Sequence, residues 1–241
     1  MAVAVEPTIL CFLDVLGFES LFSSLGLKGL DKRYSKLVEY LKKQTGGLDV
    51  VPTPDGHVAV GWLVIGNAYF SDTLLFWTRY NTLALSSFTQ SIAETICYGL
   101  EISLPLRGTM VVGEMILDTA SGKYLGGPII EAARTEKLQR WIGVSFGTSF
   151  SHPEFNKGFY LNTVLPYKSH YKDVATPLST GMVVDWPRKW RDTRKSDLRA
   201  LISSMNTKPQ YSEYYANTLK FIGFSERNHD WFKKQGRLDY G

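Results

Sequence analysis

The sequence predicts an α/β protein of the α+β kind: a mixed sheet with helices on one face, close to a ferredoxin-like core, followed by a C-terminal helical extension. Three observations carry the prediction. Apolar runs of strand length alternate with segments whose apolar residues recur at helical spacing. One tight hairpin interrupts the alternation around Asp72. The order through residue 147 reads strand, helix, strand, strand, helix, strand, helix, strand. At 241 residues, 44% hydrophobic and 21% charged, the chain has a globular balance and enough length for one sizeable domain with an extension. We place the domain at 1–185 and the extension at 186–241.

Each element has its own warrant. TILCFLDV (8–15) is a nearly continuous apolar run, as expected of a central strand covered on both faces. LDKRYSKLVEYLKK (30–43) sets Leu30, Tyr34, Leu37, Val38 and Leu41 at helical spacing, and Gly46 and Gly47 end it. HVAVGWLVIG (57–66) reads as a strand. AYF and TLLFW, on either side of Ser71 and Asp72, read as the two arms of the hairpin. From Leu83 to Leu100, Phe88, Ile92, Ile96 and Leu100 mark one helical face. LRGTMVVGEM (106–115) is a β-branched strand, GKYLGG (122–127) a glycine-bounded turn, PIIEAARTEKLQRW (128–141) a helix opened by proline, and IGVSFG (142–147) a strand. MVVDW (182–186) reads as a further strand. SDLRALISSM and SEYYANTLKFIGF read as terminal helices, with Ser196 placed to cap the first.

A formal charge of +4 and a pI near 8.9 are mildly basic, compatible with an anionic substrate but no argument for nucleic acid. Two cysteines, Cys11 and Cys97, in apolar surroundings point to a reducing compartment. The N-terminus lacks the pattern of a signal peptide, and no stretch has the apolar length of a membrane helix. A soluble, cytoplasmic protein is expected, with no membrane partner.

Asp72 is the one charge in AYFSDTLLFW (68–77), a run otherwise built for a core. Burying an unpaired carboxylate is costly, so the turn either satisfies it locally or presents it to a cation. Asp14 closes the first strand. In a sheet that sets this strand beside the hairpin, the two carboxylates converge, and two converging carboxylates without a basic neighbour in sequence suit Mg²⁺ or Mn²⁺ holding phosphate oxygens.

Four segments, FLDVLGF (12–18), FSDTLLF (70–76), LRGTMVVGEM (106–115) and YLGGPIIEAARTE (124–136), together resemble the signatures of class III nucleotide cyclases, in order, over roughly residues 8 to 147. Within that family the chain is most similar to the pyrimidine cyclases of bacterial Pycsar antiphage systems. The resemblance implies that Asp14 and Asp72 bind two divalent ions, Mn²⁺ or Mg²⁺. It implies that backbone amides around Leu16, Gly17 and Phe18 cradle terminal phosphates. Arg107 stands where the family carries a phosphate-contacting arginine, and Arg134 where it carries the arginine that stabilises the pentavalent phosphorus. The implied reaction is attack of the 3′ hydroxyl of UTP, or of CTP, on its α-phosphate, expelling pyrophosphate and giving a cyclic nucleotide such as cyclic UMP. Homodimerisation is implied as well, because the family builds its active site between two subunits, with Arg134 and Lys123 coming from the second. A separate effector activated by the cyclic product would complete the antiphage role.

The chain departs from the family at four places. The transition-state asparagine falls at Ile130. The two base-reading positions fall at Ala68 and near Lys123, neither of which matches a purine reader, while Tyr69 and Trp62 narrow a pocket toward a smaller base. The hairpin turn reads Ser-Asp instead of Gly-Asp. Two rival readings follow: a silent cyclase-like domain that binds nucleotide as a sensor, and a nucleic-acid module using WPRKWRDTRK (186–195). Against the latter, Asp185 and Asp192 dilute the basic stretch, and a solvated face explains it; no nucleic-acid partner is expected.

Overall fold

β1 (Glu6–Val15) is the axis of the molecule, flanked on both sides by antiparallel neighbours, β5 (Thr73–Arg79) and β6 (Leu106–Asp118). The computed structural model describes residues 6–44, 48–52, 58–155, 163–167, 179–205, 208–231 and 238–239. The remaining elements are α1 (Phe18–Gln44), β2 (Leu48–Pro52), β3 (Val58–Trp62), β4 (Gly66–Phe70), α2 (Thr82–Glu101), β7 (Lys123–Leu125), α3 (Gly127–Leu138), β8 (Gly143–Gly147), β9 (Val164–Pro166), β10 (Ser179–Val184), α4 (Trp186–Thr193), α5 (Leu198–Met205) and α6 (Ser212–Arg227).

The main sheet runs β4-β5-β1-β6-β8-β10-β9, with β7 joined to β6. Its first four strands, with α1 before β4 and α2 before β6, reproduce the split β-α-β order of ferredoxin-like folds. The α+β expectation therefore holds. β8 runs parallel to β6, and β10 and β9 extend the sheet antiparallel. A separate β2–β3 hairpin was not foreseen.

The alternation of β1 explains its unbroken apolar run. Ile9, Cys11, Leu13 and Val15 join the larger cluster with Leu37 and Leu41 of α1 and Phe88, Ile92 and Ile96 of α2. Leu10 and Phe12 face the other side, against Val111, Met115 and Ala132. The helices therefore do not all share one face: α1 and α2 cover one, while α3 covers the second. α3 is short and reaches only part of it, leaving Phe70 more than half exposed, and Ile130 on α3 itself is exposed to the same degree.

Several boundaries differ from expectation. α1 starts at Phe18, twelve residues earlier than predicted, and kinks at Gly26. Its first turns carry no clean apolar stripe; Phe22 and Leu27 face solvent. The predicted strand 57–66 breaks after Trp62, and His57 lies outside the described residues. The helix expected to reach residue 141 stops at Leu138. Gln139 turns extended there and its side chain pins the chain from inside the core: its amide donates to Gly108 O (2.7 Å) and Thr109 Oγ1 (2.9 Å), and its oxygen accepts from Trp141 Nε1 (2.8 Å). Asp197, not Ser196, caps α5, taking the N–H groups of Arg199 and Ala200.

The extension is bound into the same core. Trp186 and Trp190 of α4 and Phe221 of α6 belong to the cluster that contains Ile9 and Phe88. The basic stretch 186–195 thus spends its tryptophans on the interior. Arg194 reaches Glu94 of α2 through both terminal nitrogens, and Tyr40 of α1 also donates to Glu94. Among the described residues no helix is long and apolar enough to cross a membrane.

Candidate active site

The site forms where β1 ends. Asp14 sits in register with Thr73 on one side and Arg107 on the other. The β4–β5 turn is only Ser71 and Asp72, and the Val15 N–H donates to Asp72 O at 3.0 Å, tying the hairpin tip to the end of β1. Ser71 carries the turn with a φ of 56°, a left-handed conformation that glycine adopts more cheaply. The two aspartates are thereby brought together, as their expected convergence required. Burial raises the Asp14 pKa; Arg107 works against that rise and Asp72 adds to it.

Arg107 points to the same side of the sheet as Asp14. Its Nε lies 3.2 Å from Asp14 Oδ2 and 2.5 Å from Glu136 Oε1, and its Nη1 donates to Gln139 O (3.2 Å) and Tyr214 Oη (3.3 Å). Burial opposes the charge on Arg107, but Glu136 and Asp14 outweigh it and hold its pKa above the usual arginine value. Glu136, on α3, is 96% buried in its side chain. Burial pushes its pKa up to about 7, partly countered by Arg107.

Behind the aspartates lies Tyr34 of α1. Phe18 meets its ring edge-on at 6.5 Å between centroids, and Tyr69 lies tilted at 6.4 Å. Its hydroxyl is buried and has no hydrogen-bond partner. Burial, then Asp72 and Asp14, push its pKa up.

The turn after Asp14 leads straight into α1. Gly17 has a φ of 76°, and a Cβ there would stand 3.3 Å from the Tyr211 ring of the extension, so both backbone and space favour glycine. The Leu16 N–H is already given to Pro105 O at 2.9 Å, which removes it from the expected phosphate cradle. Leu21 N–H makes the first helical bond, to Gly17 O, so the N–H groups of Phe18, Glu19 and Ser20 open the helix. A cavity of about 390 Å³ adjoins this turn, with Gly17, Ser20, Lys208, Tyr211 and Tyr215 on its wall.

Tyr69, 58% exposed, flanks Tyr34, but the other expected residues sit apart. Ala68 is half-buried beneath the α3 face, Lys123 is exposed on β7, and Arg134 is exposed on α3. The side chain of Trp62 lies outside the described residues. Arg107 joins the site as expected, but bound to Asp14, the carboxylate assigned to metal. Sequence reasoning missed three members. Glu136 had a signal: it follows Ile129 and Ala132 at helical spacing on the buried side of α3, where an acid is anomalous. Tyr34 was assigned to the core face of α1, with nothing to mark its hydroxyl. Tyr214 lies 107 residues from Arg107 and gave no signal.

Among the described residues no three His, Cys, Asp or Glu side chains are arranged to hold an ion. Two carboxylates alone fit a Mg²⁺- or Mn²⁺-type site completed by water and phosphate oxygens, and the unpaired Tyr34 hydroxyl beside them is the kind of vacancy in hydrogen bonding that such an oxygen fills. No protein-family model matches the sequence, and a search of curated proteins finds no similar one.

Proposed function

We propose that this chain is a class III-type pyrimidine nucleotide cyclase, converting UTP to 3′,5′-cyclic UMP and pyrophosphate. The observation that carries the reading is the meeting of Asp14 and Asp72 at the end of the central strand of a ferredoxin-like sheet, directly before a glycine-led helix start. The left-handed Ser71 supports it: the turn has the backbone that the family's glycine would take. Asp14 and Asp72 hold the divalent ions, Mn²⁺ or Mg²⁺. Bound there, such ions neutralise phosphate charge and lower the pKa of the attacking 3′ hydroxyl.

The rest of the task falls to the protein. The N–H groups opening α1 at Phe18 donate to the terminal phosphates, with Gly17 allowing close approach and Ser20 and Lys208 lining the cavity beyond. Arg107, already beside Asp14, moves its charge to the phosphoryl oxygens as the nucleotide arrives. Arg134 and Lys123 are exposed and stand outside this cluster, so they act on the nucleotide of a second copy. The part of the sheet that α3 leaves open, with Phe70 at its edge, is the surface for that copy. Ala68, on the same side of the sheet as Asp14, bounds the base, while Tyr69 points to the other side, toward Tyr34. CTP is the alternative substrate, differing from UTP at one hydrogen-bonding edge. The enzyme works in the cytoplasm, and its product activates a separate effector in antiphage defence.

A second reading has one observation in its favour. Ile130, at the position of the family's asparagine, is 55% exposed and carries no polar group, as in a nucleotide sensor without turnover.

Incubation with ATP, GTP, CTP and UTP plus Mn²⁺, with products identified by mass and Asp72→Ala alongside, separates the readings. A cyclic pyrimidine nucleotide that disappears with Asp72→Ala is expected. Binding of UTP without any cyclic product, at protein concentrations high enough for dimers, supports the sensor instead.

A further inference from the structure

The candidate site contains a buried hydroxyl with nothing to bond. Tyr34 is 7% exposed, and its Oη makes no hydrogen bond. The carboxylates of Asp72 and Asp14 both act electrostatically on it and are able to accept, yet neither bonds the hydroxyl. A buried donor left unmade is expensive, and phenylalanine would fill the same space between Phe18 and Tyr69 without that cost. Packing therefore explains the ring and leaves the oxygen unexplained. The ring itself belongs to the core cluster, with Leu30 and Leu37 of the same helix.

We propose that Tyr34 is a ligand-binding residue of this site, donating its hydrogen bond to an oxygen carried by the divalent ion that Asp14 and Asp72 hold. That oxygen is a water when the ion is alone and a phosphate oxygen when a triphosphate is bound. The proposal rests on the metal site proposed above and extends it to the opposite wall: carboxylates grip the ion from the strand and hairpin, and the helix supplies a donor to its outer oxygen. A tyrosine suits the task because its neutral O–H donates without adding charge beside two anions.

The test compares wild type, Tyr34→Phe and Asp72→Ala in two measurements. One is Mn²⁺ affinity, followed through the electron spin resonance of free Mn²⁺, with and without inorganic triphosphate. The other is thermal unfolding of the metal-free proteins. Tyr34→Phe is expected to melt above wild type, because an unsatisfied hydroxyl is gone, and to bind Mn²⁺ or Mn²⁺–triphosphate roughly two- to tenfold more weakly. Weakening in the metal-only arm identifies water as the acceptor; weakening confined to the triphosphate arm identifies phosphate. Unchanged affinity in both arms, in a folded Tyr34→Phe protein, overturns the proposal. Should Tyr34→Phe misfold, Tyr34→Leu is held to the same affinity criterion. If Asp72→Ala binds Mn²⁺ as well as wild type does, the metal site itself fails, an outcome distinct from the failure of Tyr34.

Discussion

Asp185 follows β10 and caps α4, buried beside α6. Ser225 Oγ donates to its Oδ1 at 2.5 Å, and the Arg188 N–H approaches the same oxygen at 3.4 Å. Burial raises its pKa to about 6, against the lowering effect of Ser225 and Arg191. A carboxyl with a raised folded pKa binds its proton more tightly in the native state. Its contribution to stability is complete below the unfolded pKa and is lost as pH rises through the folded one, here from about pH 4 to about pH 7. Asp185→Asn cannot charge, so its stability relative to wild type should improve by about 2–3 kcal/mol across that interval, read from urea melts at both ends. At this scale the sequence was legible where a residue broke a pattern. Asp72 stood out because a carboxylate interrupted a core-like run. Tyr34 and Tyr214 stayed hidden, since an aromatic on an apolar helix face is ordinary and only its hydroxyl's surroundings make it special.

β6 has no room for a side chain against β1 at Gly108. A Cβ on Gly108 would fall 2.1 Å from Phe12 O, so no side chain fits between these strands one residue from Arg107. Gly108→Ala is expected to cost about 3 kcal/mol or more in denaturant unfolding, and to part Arg107 from Asp14, because the backbone must move to admit the methyl. Elements were readable where periodicity reported burial. The second part of α1 and all of α2 face a core and show it. The first turns of α1 lie partly in solvent and gave no stripe. The overlong reading of α3 has a different cause: Trp141 and Ile142 are buried, but from the bend that leads into β8, and apolar residues alone do not reveal which backbone carries them.

Over the whole molecule, the C-terminal extension acts as the roof of the site. Tyr211 lies on Gly17, while the Tyr214 hydroxyl lies between Arg107 and Arg140 with both guanidinium groups about 5.5 Å from its ring centre. Tyr214→Phe keeps the ring and removes the oxygen that helps fix Arg107. On the proposed reading, the rate of cyclic nucleotide formation should fall about tenfold and the melting temperature should fall with it, since an acceptor shared by two guanidinium groups is lost at a buried position. The sequence marked these helices as terminal and separate, because nothing in their composition points back to β6. Contacts between such distant segments are set by how the sheet is extended through β8 and β10, which local pattern does not encode.

That arrangement also fixes when the candidate site becomes complete during synthesis of the chain. Both aspartates and Arg107 emerge in the first half of the chain, whereas the tyrosine that steadies Arg107 follows 107 residues later. At translation rates of about 5–20 residues per second, a growing chain spends roughly 5–20 s with an unroofed site. On the proposed reading this delay is a safeguard: a chain that stalls on the ribosome before Tyr214 would hold Asp14, Asp72 and Arg107 without the helix that steadies Arg107, and so would make no cyclic nucleotide.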